Sequence, residues 1–117
     1  MKIEKILETI AREFTGKALG PKPGDGCFYK NHEGKKCAIG IFIPDGHAAQ
    51  NFIGGVRDLL RNFPSLWKYM PSSNLEKLSH FQWVHDVKID TASPIEIQRT
   101  ELLEAAIKTF GGEENDR

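Results

Sequence analysis

The segment Cys37-Ala-Ile-Gly-Ile-Phe-Ile-Pro-Asp-Gly46 constrains this chain more than any other. Ile39 to Ile43 offers water no polar side chain, so it has to be buried, yet it is too short to cover itself. Pro44-Asp45-Gly46 then imposes a turn, because proline fixes φ and glycine accepts backbone angles that other residues resist. Here alone a thiol, an apolar run and a turn signal adjoin. A second segment, Phe81-Gln-Trp-Val-His-Asp86, carries a His-Asp pair that a small fold can bring back to Cys37.

The covering layers are legible from hydrophobic spacing. Ile3, Ile6, Leu7, Ile10 and Phe14 recur at steps of three and four, which predicts an amphipathic helix over 2–14. Gly16 and Gly20-Pro21 end it, and Gly20 to Gly26 reads as an irregular loop. Cys27-Phe-Tyr-Lys30 and Lys36-Cys-Ala-Ile39 flank Asn31-His-Glu-Gly-Lys35 and predict a β-hairpin with Gly34 left-handed. In that register Tyr29 faces Cys37, and Cys27 faces Ile39, so the two cysteines are not paired directly.

Phe52, Val56, Leu59, Leu60 and Phe63 predict a second helix over 50–63, stopped by Pro64. Leu66, Trp67, Tyr69 and Met70 form an aromatic-rich connection up to Pro71. Two capping boxes follow. Ser73-Asn-Leu-Glu76 opens a helix to about His85, with Leu75, Leu78, Gln82 and His85 on one face. Ser93-Pro-Ile-Glu96 opens a last helix that turns Leu103, Ala106, Ile107 and Phe110 inward, ended by Gly111-Gly112. The expected fold is therefore α+β and mostly helical: four helices around one small hairpin at residues 27–39. One domain spans 1–112, with a frayed tail at 113–117.

The composition excludes several functions. Sixteen basic and sixteen acidic residues cancel over 117 residues, whereas binding driven by phosphate neutralisation leaves a basic excess. Nucleic acid is thus not an expected partner. No apolar run reaches the roughly 18 residues that a membrane span requires, and the charged residues from Lys2 onward are unlike a signal peptide. A cytoplasmic protein with reduced Cys27 and Cys37 is expected.

Three kinds of chemistry remain to be weighed. Cys37 follows Lys35 and Lys36, which favour a thiolate; His85 can serve as its base, and Asp86 or Asp45 can orient that base. The opposing reading takes Cys37 as a buried core thiol and His85-Asp86 as a helix end whose polar groups organise the core. Metal binding is disfavoured. The two cysteines lack knuckle spacing, no two histidines have a zinc-finger interval, and His32-Glu33 meets Lys36 where H-E-x-x-H needs histidine. Phosphate loops fail as well, and no cofactor is expected. Trp67, Tyr69, Trp83 and Phe63 can build a core or a partner-binding patch, with Trp67, Tyr69 and Met70 as the candidate patch.

Taken together, Cys27-Phe-Tyr-Lys30, Gly34-Lys-Lys-Cys-Ala-Ile-Gly40, Phe42-Ile-Pro-Asp45 and Phe81-Gln-Trp-Val-His-Asp86 resemble a family of small proteins from bacteriophages and bacterial genomes. The resemblance extends over about residues 3–110. The chain departs from it at Gly46-His-Ala-Ala49, where that family tends to carry an acidic residue and then tyrosine. The resemblance implies a phage or mobile-element context in a bacterial host, and no reaction. The functional expectation is a small accessory protein that binds a host or viral protein. The alternatives are a thiol-dependent hydrolase or transferase using Cys37, His85 and Asp86, and a structural metal protein.

Overall fold

A computed structural model describes residues 1–20 and 28–112. Most of the Gly20–Gly26 loop, Cys27 and the tail at 113–117 lie outside the described residues, and with them the expected placement of Cys27 opposite Ile39. Four α-helices carry the architecture: α1 (Ile3–Glu13), α2 (Val56–Asn62), α3 (Leu75–Trp83) and α4 (Ile95–Phe110). Short 3-10 turns occupy Gly40–Phe42, Ala48–Asn51 and Pro64–Tyr69, and α3 runs on into a π-helical turn at Val84–Lys88. Helix α1 packs on α4, α3 packs on both α2 and α4, and the Gly40–Phe42 turn packs on α1.

No strand exists among the described residues, which corrects the expected α+β class with a hairpin at 27–39. The chain there makes one isolated antiparallel bridge, Lys30 with Lys36. Two physical causes keep a ladder from growing. The connecting turn is held by the Asn31 side chain, whose Oδ1 accepts the Glu33 and Lys35 amides at 3.0 and 2.9 Å; such side-chain bonds compete with a ladder. Two residues past Ala38 the backbone winds into the Gly40–Phe42 turn, with Ile41 N–H bonded to Cys37 O. Gly40 makes this winding possible, because a Cβ there would collide with the Tyr29 carbonyl. Hydrophobic spacing registers none of these polar and steric terms.

The core is continuous and contains Ile39, Ile41, Phe42 and Ile43 beside Ile6, Ile10, Phe14, Leu59, Leu78, Phe81, Leu102 and Phe110. The stripe on α1 buries Ile6 and Ile10, while Ile3 and Leu7 pack at its margin. The second helix is shorter than its spacing predicts: Ala48–Asn51 forms a 3-10 turn, and regular helix begins only at Val56. Gly54 (φ +146°) sits in the break, a conformation that ends helix propagation. On α3 the cap is Asn74, whose side chain accepts the Lys77 amide, rather than Ser73. On α4 no side chain caps the N-terminus. The inward face of α4 is Gln98, Leu102, Ala105, Ala106 and Phe110, while Ile107 is 52% exposed. No described helix is long and apolar enough to cross a membrane.

Candidate functional site

The apolar run and the His-Asp segment meet. Gln82, near the end of α3, accepts the Ile39 N–H through Oε1 at 3.0 Å. Its Nε2 donates to Asp86 Oδ1 at 3.0 Å. That same carboxylate oxygen lies 2.8 Å from His85 Nδ1, and His85 Nε2 accepts the Ala18 N–H at 3.4 Å. Because Nε2 receives a backbone N–H, the ring hydrogen belongs on Nδ1, where it is donated to Asp86. One relay of side chains thus joins the segment after α1, the central run and the end of α3.

The π-helical turn makes this relay possible. One wider turn resets the facing of the helix after Trp83, and such turns recur at places where a helix must re-aim a side chain. His85 ends fully buried, edge-on to Phe14 with ring centroids 6.0 Å apart. Lys17 closes the same region, its Nζ donating to the carbonyls of Asp86 and Ile89 at 2.6 and 3.1 Å. Those carbonyls end a helix, and a lysine there satisfies orphan acceptors and complements the dipole.

Cys37 is fully buried. Its Sγ accepts the Gly40 N–H at 3.2 Å. Burial pushes the thiol up to about 12, against the pull of the Gly40 and Ile39 amides. A thiol activated for attack has its pKa lowered, in an electropositive and partly open setting. In the structure both ring nitrogens of His85 are engaged by Asp86 and Ala18, and Asp86 is shared between His85 and Gln82. What Cys37, His85 and Asp86 accomplish in this arrangement is to satisfy buried polar groups.

Lys36, beside Cys37, is likewise engaged. Its side chain is 10% exposed and reaches Asp45 at 2.7 Å and Glu13 at 3.0 Å. Burial works to lower its pKa, but the bonds to Asp45 and Glu13 prevail and raise it. The hydrogen bond and charge of Lys36 hold the Asp45 carboxyl below its usual value. Lys36 therefore ties the turn after the central run to the end of α1. It leaves Asp45 engaged with Lys36 at the surface.

The candidate patch divides. Met70 is buried, Trp67 packs partly against the core, and Tyr69 is 38% exposed. The larger exposed aromatic surface is Trp83, at 45%. It borders a groove of about 310 Å³ between α3 with its π-helical turn and α4. Val84 and Ala105 contribute apolar surface to that groove, and Lys88, Lys108, Glu101 and Glu104 line it with both signs of charge. The His80 ring stacks on Trp83 at 5.8 Å and 25° between planes, and the Lys88 ammonium stands 5.2 Å over the indole. Sequence reasoning placed Trp83 among the aromatic candidates without separating it from Trp67.

Among the described residues no three His, Cys, Asp or Glu side chains gather as metal ligands. Comparison with protein-family models, with curated proteins and with solved structures gives no match.

Proposed function

We propose that this protein is a small accessory protein that acts by binding a partner protein, with Trp83 in the α3–α4 groove as the anchor. The observation that carries this reading is the setting of Trp83: half-exposed, yet in contact with both the stacked His80 ring and the Lys88 ammonium. An aromatic side chain already ordered in the unbound state loses little conformational freedom on docking, and such residues dominate binding energy at interfaces. The mixed charges along the groove provide partners for a polar rim. The resemblance to small phage and bacterial proteins makes a host or viral protein of a bacterial cytoplasm the natural class of partner. The catalytic reading of Cys37, His85 and Asp86 gains no such support, since Cys37 and His85 are buried with their polar atoms bonded, and the Asp86 carboxylate is shared between His85 and Gln82.

Parallel affinity capture from a bacterial host tests the reading, using the wild type, Trp83→Ala and Tyr69→Ala, each shown folded by circular dichroism. The expected outcome is a protein retained by the wild type and by Tyr69→Ala and lost with Trp83→Ala. Equal retention by Trp83→Ala, or no Trp83-dependent protein at all, contradicts it.

A further inference from the structure

The α3–α4 face continues on both sides of the Trp83 groove. A depression of about 330 Å³ shares His80, Lys108 and Thr109 with that groove, and another of about 340 Å³ shares Glu101 and Glu104 with it and adds Ile97. On α4, Ile97, Glu101, Glu104 and Lys108 recur at steps of four, three and four, so they form one stripe along the helix. That stripe is about 17 Å long at ~1.5 Å per residue. Of the seven large apolar side chains left exposed among the described residues, Trp83, Val87, Ile97 and Ile107 belong to α3 with its π-helical turn and to α4. Apolar exposure is thus concentrated on these elements, a mark of an interaction surface. Among the described residues no ion pair includes Glu101, Glu104 or Lys108, so their charges are available to a neighbour.

The order of those charges decides which neighbour fits. The stripe is acidic in its middle, at Glu101 and Glu104, and basic at its C-terminal end, at Lys108. A second copy of the chain laid parallel would set like charge on like. Laid antiparallel, it brings Lys108 of each copy opposite the Glu101–Glu104 pair of the other, and two-fold symmetry makes that contact twice. Trp83 borders the same groove as Glu101, Glu104 and Lys108, so both indoles come near the symmetry axis, where an interface is best desolvated. Sixteen basic and sixteen acidic residues leave no net charge to hold the copies apart. The face is about two helices wide, ~20 Å, and at its length it falls short of the roughly 800 Å² per partner of a stable dimer. The contact is therefore weak.

We infer that the free protein self-associates through this face as a weak antiparallel homodimer, with Trp83 covered at its centre and Lys108 of each copy paired with Glu101 and Glu104 of the other. A partner that docks on Trp83 must then separate the copies. Self-association does not rest on the partner-binding reading; that competition does.

Sedimentation equilibrium of the full-length protein from about 10 μM to about 1 mM, the span of weak complexes, tests it at low salt. The mass should rise with concentration from 13.2 kDa toward twice that value, and added salt should suppress the rise. Trp83→Ala, shown folded by circular dichroism, should stay monomeric. Lys108→Glu and Glu101→Lys should each weaken the dimer at least ~10-fold, since each turns two attractions into repulsions. The combined variant Glu101→Lys/Lys108→Glu restores opposite charges across the axis and should return within about threefold of wild type. A 13.2 kDa species at every concentration, a dimer undiminished in Trp83→Ala, or a charge swap as weak as the single reversals would overturn the inference. A monomeric protein that still captures a partner through Trp83 overturns the dimer alone, whereas a dimer that captures nothing supports it and sinks only the partner-binding reading.

Discussion

Gln82 accepts the Ile39 N–H at 3.0 Å across 43 residues of chain. With its other end on Asp86, this amide does for the central run what a neighbouring strand would do in a sheet. Backbone donors and acceptors that are buried must be paired, and here side chains from α3, its π-helical turn and α4 serve as the partners. Gln98 Oε1 accepts from Lys17 N–H, Arg99 donates to Phe14 O, and His85 accepts from Ala18 N–H.

Gln82→Leu should therefore destabilise the protein by about 1–3 kcal/mol, the usual cost of orphaning a partly buried donor. Gln82→Glu keeps an acceptor for Ile39 but sets a second carboxylate beside Asp86, where it cannot donate. Its stability at pH 7 should fall, and part of the loss should return toward pH 4 as one of the two acids takes up a proton. Urea unfolding at the two pH values checks both variants.

Two glycines in neighbouring turns should respond differently. Gly34 has φ +82° with open space around its Cβ position, so Gly34→Ala meets only the left-handed penalty of about 1–2 kcal/mol. At Gly40 a Cβ collides with the Tyr29 carbonyl, which is itself held by the Cys37 amide at 3.2 Å. Gly40→Ala should cost about 3 kcal/mol or more, the upper end for overpacking. Paired thermal or urea unfolding of the two variants separates the mechanisms.

The Lys36 cluster sets a pH window. Asp45 has a lowered carboxyl pKa in the folded state, so its contribution is complete above the unfolded value of about 3.9 and is lost as pH falls through the lowered one. Lys36 has a raised pKa, so its contribution is complete below the unfolded value of about 10.4 and is lost as pH rises through the raised one. Asp45→Asn should lower the stability plateau near neutrality and flatten the acid limb of the wild-type profile. Urea midpoints measured from pH 2 to 7 provide the comparison, and an unchanged acid limb would contradict the assignment.

What was legible beforehand follows from which forces hydrophobic spacing records. The stripe of Ile6, Ile10 and Phe14 is set by burial at helical intervals, and those residues are buried in the folded chain. So are Ile39 to Ile43, apart from the few per cent left to Ile41, Phe42 and Ile43. The lack of a hairpin was not legible, because Asn31, Gly40 and Gln82 replace ladder bonds with side-chain bonds and a close backbone approach. Nor was the exposure of Ile107, since the observed facing of α4 turns Gln98, Leu102, Ala105, Ala106 and Phe110 to the core instead. Partners separated by 43 to 85 residues, such as Gln82–Ile39 and Arg99–Phe14, leave no local pattern to read.

The residues with catalytic-looking chemistry hold the fold together. The iodoacetamide reaction rate of Cys37 in native protein from pH 6 to 10, read peptide by peptide so that Cys27 is scored separately, puts this to the test. With Cys37 buried and its thiol pushed up to about 12, alkylation should be limited by unfolding, stay negligible across that range, and become rapid only in denaturant. Fast native labelling with an apparent pKa below about 8, the mark of an activated thiolate, would contradict the claim.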